Sequence, residues 1–214
     1  MKLTRVGKLG LNSPARALIQ RHAVAAILER LGGRVEGGTV LELGCGRGVG
    51  MEIILDRFRA ARVDAIDIDP DMITLARRRL ARRPQAHVSL GDATAIDAPD
   101  ESFDAVFDFG AIHQMPNWPA ALVEVRRVLR PGARFFFEEV ASRLHRSTFR
   151  FTVEGWPAPG ARPFSRSGFL AELHMHGLRR LRLGDPRLLY LLAAVSSGLV
   201  GDTVGVAERT ATDR

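Results

Sequence analysis

From position 39 to 140, short apolar runs alternate with longer stretches whose apolar residues recur at helical spacing. Thr39–Leu43, Arg62–Asp67, His87–Leu90, Phe103–Phe109 and Arg134–Val140 read as strands. Val49–Phe58, Pro70–Arg83 and Trp118–Leu129 read as the helices between them. Upstream, Asn12-Ser13-Pro14 starts a helix, with Ser13 as cap and Pro14 in the first turn, and Gly32-Gly33 stops it. Downstream, the rhythm breaks over 141–163 and resumes as a helix over Ser165–His176, a strand over Leu178–Leu183 and a last strand over Asp202–Ala207. Strictly alternating helix and strand predicts an α/β fold whose largely parallel sheet is covered on both faces.

Composition narrows this only a little. At 214 residues, 46% of them hydrophobic, the chain suits one domain with one core. Its single cysteine, Cys45, excludes an internal disulfide and any multi-cysteine zinc site, and fits a reducing compartment. Met1–Lys8 lacks the apolar core of a signal peptide, and the apolar stretch Leu188–Val200 is too short to cross a bilayer, so a cytoplasmic protein is expected. A net charge of +7 would attract polyanions, yet arginine is spread along the whole chain. Its densest run, Arg77-Arg78-Arg79 with Arg82-Arg83, lies on a predicted helix opposite Met72, Ile73, Leu75, Ala76 and Leu80, which reads as a solvated face.

The candidate chemistry centres on Val40-Leu41-Glu42-Leu43-Gly44-Cys45-Gly46-Arg47-Gly48-Val49-Gly50, an apolar strand feeding a glycine-rich turn and then a helix. Glycines there let a ligand lie against the main chain and the helix N-terminus. No starting glycine gives G-x-G-x-x-G, which disfavours a nicotinamide or flavin, and there is no G-x-x-x-x-G-K-[ST] loop for a nucleoside triphosphate. The pattern is acid-x-Gly-x-Gly-x-Gly. Three further stretches follow it in order: Val63–Asp71, Gly91-Asp92-Ala93, and Ser102–Gly110 with Val128–Phe135.

Together these four stretches resemble the class I S-adenosylmethionine-dependent methyltransferases, in particular the type 11, ubiquinone-biosynthesis-like small-molecule enzymes. The resemblance implies a Rossmann-like seven-stranded sheet of order 3-2-1-4-5-7-6 with an antiparallel last strand, an order that periodicity alone does not supply. It implies an N-terminal arm and helix over residues 1–36 covering the cleft, a cofactor-binding domain over 37–214, and a substrate lid near 141–164. The implied cofactor is S-adenosyl-L-methionine, with S-adenosyl-L-homocysteine as product and no metal. Glu42, Gly44, Cys45, Gly46 and Gly48 would hold its methionine end, with Glu42 reaching the ammonium. Asp67, followed by Ile68, would accept from the ribose hydroxyls, and Asp92 and Ala93 would read the adenine. Asp108 and Phe109 complete the cofactor set, where amine methylators of nucleobases carry an Asn-Pro-Pro-Tyr run.

The acceptor is less constrained. His113, after the fourth strand, is a candidate catalytic base or substrate contact, and Glu139, at the end of the fifth and favoured over Glu138 to face the pocket, is a second candidate catalytic residue. Alternation lets only one of Glu138 and Glu139 face the cleft. Phe149, Phe151, Trp156 and Phe164 would form an aromatic lid suited to a small apolar or aromatic acceptor, and Leu188–Leu192 reads as core. The rival readings are an RNA methyltransferase, suggested by the basic charge, and a non-catalytic partner protein that binds the same cofactor. Peripheral membrane contact through the basic arm would change location only. A monomer or a homodimer fits equally.

Overall fold

The computed structural model describes residues 13–139, 162–185 and 203–210. The aromatics 149, 151 and 156, the N-terminal arm before Ser13, most of the expected lid and Leu188–Leu192 lie outside them.

Seven strands form one sheet in the order β3-β2-β1-β4-β5-β7-β6. They are β1 (Thr39–Leu43), β2 (Arg62–Asp67), β3 (Ala86–Leu90), β4 (Phe103–Phe109), β5 (Leu129–Glu139), β6 (Leu178–Leu183) and β7 (Thr203–Arg209). β1 to β5 pair in parallel, and β7 runs antiparallel to both β5 and β6. This is the expected Rossmann-like methyltransferase order. The strand order reverses between β1 and β4, so their carboxyl ends open a crevice where ligands bind in such sheets.

Helices cover the sheet: α1 (Pro14–Ile19), α2 (Ala25–Gly32), α3 (Val49–Asp56), α4 (Pro70–Arg79), α5 (Trp118–Val128) and α6 (Arg166–Met175). One core cluster packs Val24, Leu28, Met51, Ile54 and Phe58 on one face; the other packs Trp118, Leu122, Val125 and Phe169 on the opposite face. Phe107 and Phe136, stacked with centroids 4.3 Å apart, and Phe135 and Phe137 supply bulk to these two layers from β4 and β5.

Several boundaries differ from those expected, three of them with a physical cause in the packing. The N-terminal helix is not continuous: a π-helical turn, Gln20–Val24, separates α1 from α2. It buries Gln20 and Val24, so one wide turn serves both Glu138 and the core. α4 stops at Arg79 because Leu80–Arg83 close a turn ahead of Pro84, and a residue before proline resists the helical conformation. Leu129 already pairs with Phe103, so residues 130–133, left between the expected helix and strand, form a bulge inside β5 with Gly132 at φ +78°.

Candidate active site

A cleft of about 640 Å3 opens at the carboxyl ends of β1, β2 and β4. Glu42, Gly44, Cys45, Gly46, Asp67, Ile68, Asp92, Ala93 and Phe109 all line it. Gly48, Asp108, His113 and Glu139 do not.

The glycine turn is shaped by close approach. Gly44 has φ +61°, and a Cβ there would collide with the Ala111 methyl, so the first loop and the loop after β4 touch at that point. At Gly50, a Cβ would strike Glu42 Oε1 and lie 2.7 Å from Phe109 Cδ2. The absent side chain is the space that Glu42 occupies. The missing side chain of Gly48 serves packing instead, admitting Leu80 and Ala76 of α4.

Asp67 braces the same turn. One carboxylate oxygen accepts from the Gly46 amide at 2.8 Å, the other from the Asp69 amide at 2.9 Å. A carboxylate has about four acceptor sites, so each oxygen keeps capacity toward the cleft. Asp69 caps α4 by accepting from the Asp71 amide at 3.0 Å. Asp92 accepts from the Thr94 amide and hydroxyl, both at 2.8 Å, which folds a small turn at the end of β3.

Glu42 is 2% exposed, and its Oε2 has no hydrogen-bond partner. Burial, reinforced by the charges of Asp108 and Asp67, drives its carboxyl well above the ordinary range, against one backbone hydrogen bond from Met51. An orphaned acceptor facing a glycine cradle suits a ligand that brings a cation to it. The cleft therefore fits the ammonium of an amino-acid tail, and the carboxylates of Asp67 and Asp92 fit hydroxyl and amine donors beyond it.

Beneath the β4 and β5 ends lies a second carboxyl group set. Asp108 accepts from the Ala111 amide at 2.8 Å. Glu139 Oε2 accepts from the His113 amide at 3.2 Å and contacts His113 Nδ1. Glu138 and Glu139 are both fully buried, so alternation does not leave one in the cleft. Glu138 turns to α1 and the π-helical turn, where Arg16 sits at 3.8 Å and Gln20 Nε2 donates at 3.4 Å.

Arg16, Leu18, Gln114 and Met115 also line the cleft, and the sequence carries no sign of them. Arg16 donates to the Phe109 carbonyl at 3.0 Å and Gln114 to the Gly110 carbonyl at 2.6 Å. Partners 93 residues apart, as Arg16 and Phe109 are, leave no local pattern. Of the expected aromatic lid, Phe164 is described: it is buried against Trp118 and Phe169, with the His113 ring at 6.0 Å.

The switch-point crevice, glycine cradle and acidic strand ends define a nucleoside-type binding domain without a phosphate loop. Residues 40–132 match the family described as "Methyltransferase domain". Over that stretch the chain is similar to the class I S-adenosylmethionine-dependent methyltransferases. It is 39% identical over 109 residues to a fatty-acid O-methyltransferase of Mycolicibacterium smegmatis, covering 51% of this chain and 39% of that one. It is 38% identical over 133 residues to a malonyl-[acyl-carrier protein] O-methyltransferase of Halorhodospira halophila, covering 60% and 44%. A solved S-adenosylmethionine-dependent methyltransferase from Aquifex aeolicus superposes with a TM-score of 0.68 at 20% identity, over 97% of this chain and 98% of that one, a likeness of fold. The chain spans less than half the length of these two curated relatives. Among the described residues, no helix is long and apolar enough to cross a membrane.

Proposed function

We propose that this chain transfers a methyl group from S-adenosylmethionine to a small apolar acceptor, and that the accepting atom is a carboxylate oxygen on an acyl chain. The observation that carries the donor half is the unpartnered Glu42 oxygen on the floor of a glycine cradle. Bound there, S-adenosylmethionine supplies a methyl already activated by the sulfonium charge. The work left to the protein is to bind, align and exclude water. Glu42 would anchor the ammonium, the backbone of Gly44 and Gly46 would lie against the tail, Asp67 would hold the ribose, and Asp92 with Ala93 would read the adenine.

Two observations favour a carboxylate acceptor. Two of the relatives are named for O-methylation of a fatty acid and of a malonyl carrier, both carboxylic acids. The cleft wall also carries Arg16, Arg21, Arg47 and Arg79 among its carboxylates, cations within reach of an anionic acceptor although Arg21 and Arg79 pair with Glu52 and Arg16 with Glu138. A carboxylate is already ionised near neutrality and needs no proton removed. His113 and Glu139, held off the cleft wall, then have no base role to fill. Leu18 and Met115 offer apolar surface to a chain.

Incubation with S-adenosylmethionine and a panel of free fatty acids, read by mass spectrometry, should yield methyl esters. No ester from any member, with S-adenosylhomocysteine binding intact, would overturn the acceptor. Absence of S-adenosylhomocysteine binding would overturn the donor as well.

A further inference from the structure

The carboxyls under β4 and β5 have a feature that the proposed transfer does not use. Asp108, His113 and Glu139 are 1%, 4% and 0% exposed, and none of them lines the cleft. The backbone they hold does: Gly110, Ala111, Gln114 and Met115 form one wall. Asp108 takes the Ala111 amide, Glu139 takes the His113 amide and touches its ring, and Ala111 abuts Gly44 across the cleft. Asp108 Oδ2 and Glu139 Oε1 are each buried without a hydrogen-bond partner in the carboxylate form. The two carboxyls lie at adjacent strand ends, Asp108 in register with Phe137.

We propose that Glu139 is a positioning residue: through the amide and ring of His113 it holds the turn 110–114 as a cleft wall, and it takes no part as acid or base. Burial, then the neighbouring Glu139 charge, drives the Asp108 carboxyl well above its ordinary range, while a hydrogen bond with Asp108 works to lower Glu139. Burial nevertheless pushes Glu139 up to about 7 from 4.5, against that hydrogen bond and those from the backbone of His113 and Ile112.

The groups facing Glu139 come from every side. Asp108 projects from β4, and Glu42 from β1 bears on Asp108. His113 lies above, and Glu138 beside it on β5 turns to Arg16 of α1 and Gln20 of the π-helical turn. Thr203 is its register partner on β7. With the turn closed, Glu139 titrates near 7; with the turn open and solvated, it falls toward 4.5. A group raised in the closed form stabilises it when protonated, so closure weakens as pH rises from 4.5 to about 7 and is level above that.

Amide hydrogen exchange of the free protein reads this directly. In Glu139→Ala, protection at 111–113 should fall by roughly tenfold or more, with β1 amides unchanged, because buried amides lose their acceptor. Glu139→Gln keeps an oxygen for the His113 amide and should stay within about threefold of the parent. In the parent, protection at these amides, corrected for intrinsic exchange, should decline between about pH 5 and about pH 7, and in Glu139→Gln it should not. Unchanged protection in the alanine variant, an equal loss across the whole sheet, or the same pH dependence in the glutamine variant would each overturn the proposal. Should the alanine variant fail to fold, the glutamine pH profile decides alone. Exchange in the free protein is independent of the donor site, so its failure is separable from a failure to bind S-adenosylhomocysteine.

Discussion

The strand ends on the two sides of the switch point carry the same chemistry and use it differently. At β1 and β2, Glu42 and Asp67 face the cleft and keep unused acceptor capacity, although Asp67 also braces the glycine turn. At β4 and β5, Asp108, Glu138 and Glu139 are sealed from the cleft, and the oxygens that are engaged turn to amides, His113, Gln20 and Arg16, while Asp108 Oδ2 and Glu139 Oε1 stay buried. A carboxylate at a strand end is thus a ligand contact or a brace according to which donors reach it first. Where glycines strip the neighbouring backbone of side chains, the cleft reaches the carboxylate. Where a short helical turn folds back over it, the backbone does.

Substitutions on each side test this contrast. Gly44→Ala should have the largest effect: a left-handed φ costs a non-glycine residue about 1–2 kcal/mol, and the new methyl meets Ala111. We expect S-adenosylhomocysteine affinity to drop roughly a hundredfold by calorimetry. Asp67→Ala removes a proposed ribose acceptor and the brace on Gly46 and Asp69, and should weaken binding between about tenfold and a hundredfold. Unchanged affinity would remove the ribose assignment.

Glu42→Gln should cost roughly tenfold, with a change in pH dependence as its sharper sign. The Glu42 carboxyl is raised in the free cleft, and a bound ammonium favours its charged form. Binding to the parent therefore releases a proton and strengthens as pH rises. In the glutamine variant this component vanishes, and calorimetry in buffers of different ionisation enthalpy counts the protons. His113→Gln, on the sealed side, should alter affinity by less than about threefold. A loss as large as that of Asp67→Ala would erase the contrast between the two sides.

The same contrast separates what could be read from the chain beforehand from what could not. Strand positions were legible because β1, β4 and β5 are buried apolar runs and their helices keep a 3.6-residue stripe. The order of the strands came from family resemblance, since contacts such as β1 with β4 leave no periodic trace. The glycine turn and Asp67 were legible because a ligand cradle needs the backbone bare and a carboxylate at the next strand end. Which way Glu138 and Glu139 point was not: strand alternation assigns faces only while the strand lasts, and both sit at its last two positions. Arg16 was hidden for a different reason. Its role arises from a buried partner more than a hundred residues away, reached through α1.

The central claim is that the cleft between β1 and β4 is built for an adenosyl group carrying an amino-acid tail. Calorimetric titration with S-adenosylhomocysteine tests it most directly. One molecule should bind per chain in the parent, with ATP and NAD giving no heat. Absence of binding at millimolar S-adenosylhomocysteine, or equal binding of ATP, would contradict it.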